Sequence, residues 1–161
     1  MLAFCDDLNR AIMLLAPPHE VRSVAPQTWR DIQASAKENG RIVVWSGEAQ
    51  HSIYGDAQVN YAFRAWHDHC HLVNGYEFTI AGETAAVDAQ CAMLRHAFPG
   101  APSLWSQLLR ADVLGVVYTL HAGLGYIADQ RASVKAILAL PGGLDSLKPA
   151  RELARYAYGR G

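Results

Sequence analysis

Pro17-Pro18, Gly40, Pro99, Pro102 and Pro141-Gly142-Gly143 cut the sequence into stretches of helical length. Proline has no N–H with which to continue a helix, and glycine favours the left-handed turn that ends one. Between these breaks the apolar residues recur every three or four positions. Leu8, Ile12 and Leu15 give an opening helix over residues 2–15. Thr28 caps a second helix that carries Trp29, Ile32 and Ala36 on one side, with Lys37 in its last turn and Gly40 as its stop. Residues 57–72, 82–97, 103–127, 131–140 and 149–158 read the same way. Only residues 41–45 (RIVVW) and 76–80 (YEFTI) alternate as strands do, and they are expected to pair with each other. The expected fold is mainly α: one helical domain over residues 1–161 with a small two-stranded β-ribbon, and neither a linker nor an internal repeat.

With 161 residues, 51% of them hydrophobic, the chain has enough apolar surface for one core. Fourteen basic against 15 acidic side chains, a net charge of −1, give no general attraction to phosphate backbones, so bulk nucleic-acid binding is not expected. Cys5, Cys70 and Cys91 are odd in number and form no C-x-x-C pair, which suits free thiols in a reducing compartment such as the cytoplasm. Asp6 and Asp7 stand where an export signal would need positive charge. The most apolar stretch, 113–128, is interrupted by His121 and is shorter than the roughly 18 residues of a membrane span, so it is expected to be a buried helix.

The densest group of metal-capable side chains is His67-Asp68-His69-Cys70-His71. Five consecutive residues cannot share one helical face. His67 and His71, four apart, do share one, and His69 points away. The apolar stripe Val59, Phe63, Trp66 and Cys70 borders the pair, which therefore faces inward. Two imidazoles alone bind a metal loosely, and Glu83 is the best third ligand because it heads the core-facing stripe Val87, Gln90, Leu94 and Ala97. A two-histidine, one-carboxylate site suits zinc hydrolysis or non-haem iron, with manganese a further option. Asp68 would act there as general base or orient a ligand. His121 follows Val113 and Val117 at helical spacing and is a candidate fourth ligand. Arg64, on the His71 side, either pairs with Glu83 or holds an anionic group of a substrate, and Asn60 precedes it by one turn.

Each of these residues also has an ordinary structural reading. An H-x-x-x-H pair can be two histidines at a core edge, and Glu83 sits in a first helical turn, where the helix dipole favours a carboxylate. His121 can be a neutral core histidine. His19, His51 and His96 are expected to be solvated, and Trp29, Trp45, Trp66 and Trp105 to be packing residues.

The run from Asn60 through Phe63-Arg64, His67-Asp68 and His71, then Phe78 and Gly82-Glu83, resembles uncharacterised phage-encoded proteins that share an N-x-x-F-R-x-x-H-D-x-x-H block followed by F-x-x-x-G-E. A weaker echo ends in Asp129-Gln130-Arg131. The resemblance covers about a sixth of the chain and implies a phage or prophage origin, hence a host cytoplasm, and a metal constellation at His67, His71 and Glu83. Two better-understood classes share fragments. In zincin metallopeptidases the motif is H-E-x-x-H, similar to His67-Asp68-x-x-His71 but with glutamate as the catalytic residue. In HD-domain phosphohydrolases an upstream histidine and a distant aspartate complete a His-Asp dyad, roles that His51 and Asp112 would fill.

Three functions follow from these patterns. The first is a divalent-metal hydrolase with a His-His-Glu site, acting on a phosphoester or an amide. The second is an HD-type phosphohydrolase. The third is a non-catalytic phage accessory protein that binds a host or virion partner. A homo-oligomer is compatible with all three, and the substrate or protein partner is not encoded in these patterns.

Overall fold

The computed structural model describes residues 4–147 apart from 48, 50, 124, 126 and 128. The fold is mainly α, with six helices and one two-stranded sheet among the described residues. In chain order the elements are α1 (Asp6–Leu15), β1 (His19–Arg22), α2 (Trp29–Asn39), β2 (Ile42–Trp45), α3 (Ala57–Asn74), α4 (Ile80–Ala97), α5 (Ser103–His121) and α6 (Gln130–Ala139), followed by a 3-10 turn at Gly143–Leu147.

The helix boundaries have local causes. The Thr28 hydroxyl accepts from Asp31 N–H while the Asp31 carboxylate accepts from Thr28 N–H, a reciprocal cap on α2. Gly40 ends α2 in the left-handed region at φ 65°. Asp56 caps α3 by accepting from Gln58 N–H, and Thr79 caps α4 by accepting from Gly82 N–H.

Leu8, Ile12, Phe63, Trp66, Val87, Leu94, Leu109 and Leu114 belong to one continuous buried core shared by α1, α3, α4 and α5. The stripe expected on α3, Val59, Phe63, Trp66 and Cys70, is buried throughout. On another side of α3 a smaller apolar cluster, Ile42, Val44 and Ala65, seats β2 against the helix. In this way α3 lies between the core and the sheet.

The sheet corrects one expectation. Residues 42–45 form a strand, but its partner is His19–Arg22, running parallel in the register His19–Ile42 to Arg22–Trp45. Parallel neighbours need a crossover, and α2 supplies it. The alternation in 76–80 serves a turn instead. Tyr76 N–H bonds the His71 carbonyl after the left-handed Gly75, Thr79 is already a helix cap, and Tyr76, Phe78 and Ile80 are half-buried without pairing. A second correction concerns α5, which stops at His121 rather than 127, with Gly123 left-handed at φ 74°. The helix expected at 149–158 lies outside the described residues. No helix of the described residues is long and apolar enough to cross a membrane.

Candidate metal centre

Helices α3 and α4 pack side by side and are joined by the tight turn at 75–79. That turn depends on Gly82. A Cβ there would stand 1.8 Å from the Glu77 carbonyl oxygen, so only glycine lets the turn close onto the first turn of α4. The closure brings Glu83 opposite His67 and His71.

Three ligand atoms converge. Glu83 Oε2 lies 2.9 Å from His67 Nε2 and 3.4 Å from His71 Nε2, and the two Nε2 atoms are 3.1 Å apart. Ligands about 2.0–2.2 Å from a common ion stand roughly 2.8–3.6 Å apart at octahedral to tetrahedral angles, and all three separations fall in that interval. Among the described residues this is the one group of three or more histidine, cysteine, aspartate or glutamate side chains arranged to share an ion. His71 is wholly enclosed, while His67 and Glu83 keep 13% and 17% of their side-chain surface exposed, so the group is not sealed from solvent.

The outer ring nitrogens are also engaged. His71 Nδ1 is 2.7 Å from the Tyr76 carbonyl oxygen, which accepts only, so Nδ1 carries a proton and Nε2 is the ring nitrogen turned toward the cluster. His67 Nδ1 is 2.8 Å from Gln90 Oε1. Two imidazole nitrogens and a carboxylate oxygen facing one another need a cation between them, either a proton or a metal ion. The titration of the group reflects this. Burial opposes charge on His67, but the hydrogen bond and charge of Glu83, aided by Gln90 and Asp68, outweigh it and raise the pKa. Burial likewise opposes charge on Glu83, yet the two imidazoles bring its carboxyl down to about 2.

Aromatic rings wall the group. Phe78 meets the His71 ring edge-on at 4.9 Å, Trp29 lies 6.4 Å from it, and Phe63 stacks on His67 at 6.2 Å. Beside His67 opens a cleft of about 480 Å³ lined by Pro26, Trp45, Phe63, Arg64, Asp68 and Leu120, among others. Asp68 is half-buried there and has no hydrogen-bond partner among the described residues. Burial raises its carboxyl to about 6, against the lowering effect of His67 and His71.

The other expected site residues fall as follows. Arg64 lines the cleft, but its Nη1 donates to the carbonyls of Trp45 and Gly47, at 2.8 and 2.7 Å, rather than to Glu83. Asn60 is buried one turn earlier, with Nδ2 unpartnered among the described residues. His121 ends α5 at a half-buried position and is not brought into the three-ligand group. The set an HD-type site requires is not assembled either. His51 is exposed, and Asp112 is buried with the Tyr54 hydroxyl donating to it at 3.1 Å.

Several participants carry no readable mark in the sequence. Trp29 comes from a helix remote from the histidine motif, and the Tyr76 carbonyl is backbone. Gln90 appears in the sequence only as a member of the inward stripe. Trp45 is 42% exposed on the cleft rather than packed in a core. No family model matches the chain, and comparison with curated proteins and with solved structures likewise gives no match.

Proposed function

We propose that the chain is a metal-dependent hydrolase in which His67, His71 and Glu83 hold one divalent ion, zinc first, with iron and manganese as the other candidates. The observation that carries this is the convergence of three ligand atoms within 3.4 Å, with His71 Nδ1 held by the Tyr76 carbonyl so that its Nε2 faces the group. A divalent ion bound by such a set acts as a Lewis acid and lowers the pKa of water to about 7. Three protein ligands leave coordination positions for water and substrate, and of the three His67 also lines the cleft.

Asp68 supplies the base. Its unpaired carboxylate lies on the cleft wall beside His67, where it can accept a proton from water. Trp45, Phe63 and Leu120 give the cleft apolar walls, and the fixed Arg64 guanidinium gives it positive charge, a combination suited to a phosphoester or amide with an apolar flank. Of the phage-like block, His67, His71 and Glu83 form the group, Phe63 and Phe78 pack on its rings, Arg64 and Asp68 line the cleft and Gly82 admits the turn, while Asn60 is buried one turn before Arg64. That clustering supports reading the block as the code for the site.

The first test is metal content by elemental analysis of protein purified without chelator or nickel affinity, wild type against Glu83→Ala. Near-stoichiometric zinc, iron or manganese in the wild type that falls away in the variant is expected. Metal-free wild type would overturn the proposal and redirect attention to a binding partner. For the reaction itself, metal-loaded wild type is expected to hydrolyse members of a panel of phosphoesters and peptides. Asp68→Asn should lower kcat by about 10²–10⁴-fold while retaining metal.

A further inference from the structure

Gln90 is fully enclosed in α4, on a stripe otherwise made of Val87, Cys91 and Leu94. Its Oε1 is 2.8 Å from His67 Nδ1, while its Nε2 is buried with no partner among the described residues. A buried amide nitrogen without an acceptor opposes folding, and an apolar side chain would fill the same space without that penalty. Packing therefore does not explain a glutamine here. The acceptor it offers to His67 does.

The choice of tautomer at His67 decides whether the site can take an ion. A neutral ring with its proton on Nε2 makes an ordinary hydrogen bond to Glu83 Oε2, and its one lone pair, on Nδ1, then points toward Gln90 and away from the group. With the proton on Nδ1, directed at Gln90 Oε1, Nε2 is bare toward Glu83 and His71. The same Nδ1–H to Oε1 bond serves when Nε2 carries a proton, so an ion can replace that proton without the ring moving. His71 needs no such help because the Tyr76 carbonyl, which cannot donate, already fixes its ring.

We propose that Gln90 is a positioning residue, which holds His67 with its proton on Nδ1 and so turns its Nε2 lone pair to the ion shared with His71 and Glu83. The proposal rests on the metal reading above, and the experiment separates the two. Zinc affinity is measured for wild type, Gln90→Met, which keeps the length and removes the acceptor, and Gln90→Glu, which restores an acceptor. Loss of a hydrogen bond of this kind to a metal-ligating histidine costs roughly ten- to a hundredfold in affinity. That loss is expected for Gln90→Met, together with a smaller zinc-induced rise in Tm, and Gln90→Glu is expected to recover wild-type affinity. A residue that only packs would shift Tm equally with and without zinc and leave the affinity unchanged.

A second measurement needs no variant. In protein loaded with cadmium-113 and labelled with nitrogen-15, the metal–nitrogen coupling at His67 is expected at Nε2, with the proton on Nδ1. Coupling at Nδ1, or wild-type affinity in Gln90→Met, overturns the role of Gln90 alone. Wild type that takes up neither zinc nor cadmium overturns the metal reading, and this proposal with it.

Discussion

Glu83 and Asp112 are both carboxylates set into the interior of the same helical bundle, and their surroundings move them in opposite directions. Glu83 faces two imidazoles at 2.9 and 3.4 Å and is brought down to about 2. Asp112 faces the Tyr54 hydroxyl on one oxygen and has no partner for the other among the described residues, and burial lifts it to about 6. Burial penalises the charge in both. The sign of the outcome is set by whether cationic partners sit at the carboxylate. One group is prepared to stay ionised and bind, while in the other the Tyr54 hydrogen bond and the more distant charges of Arg64 and His67 only partly offset burial.

The largest expected effect breaks the prepared half. Glu83→Gln should weaken zinc binding by more than about a hundredfold, beyond the roughly 10–100-fold loss typical of groups behind a metal ligand, as read by competition with a fluorescent chelator. Binding as tight as wild type would remove Glu83 from the ligand set. Asp112→Asn tests the other half. The folded-state pKa of Asp112 lies about two units above its usual 3.8, a difference worth roughly 3 kcal/mol. Its contribution to stability is fully present below pH 3.8 and lost as pH rises through about 6. Urea denaturation should therefore show the variant more stable than wild type at pH 7.5, by about 1–3 kcal/mol, with the two curves merging near pH 4. A variant less stable at pH 7.5 would show that the Tyr54 bond outweighs burial.

The third prediction sets the two halves against each other along the pH axis. His67 is raised above 6.5 in the folded state, so its protonated pairing with Glu83 stabilises the metal-free protein fully below 6.5 and fades as pH rises through the raised value. A metal competes for that proton. The zinc-induced rise in Tm should therefore grow between pH 6 and pH 8, by at most about tenfold in affinity per pH unit for one displaced proton. A flat profile would mean that no proton leaves. The smallest effect is the control. His69→Ala, off the shared face, should change stability by no more than about 0.5 kcal/mol and spare metal binding, whereas His71→Ala should lose the ion.

The two halves also differ in how far the sequence announces them. Helical spacing alone puts His67 beside His71 and leaves His69 aside, and an inward stripe headed by Glu83 marks the opposite ligand. Such relations are local, set by 3.6 residues per turn, and so they are visible in a string of residues. The strand at His19–Arg22 holds one β-branched residue and pairs with a segment more than twenty positions away, so neither composition nor alternation marks it. The residues at 76–80 do alternate, yet their backbone is committed to ending α3 and starting α4. His121 shows the limit of periodicity in another way. It sits at the right spacing on a helix that ends there, and it is not part of the three-ligand group. Tyr54 meeting Asp112, 58 positions apart, was beyond any local pattern.

Every donor of the candidate centre, and every group that orients one, comes from the single hairpin of α3, its turn and α4. An ion held there joins residues only sixteen positions apart, so the loop it closes is short and little chain entropy is spent in forming it. Assembly of the centre then requires no long-range topology. It can form as soon as two adjacent helices dock.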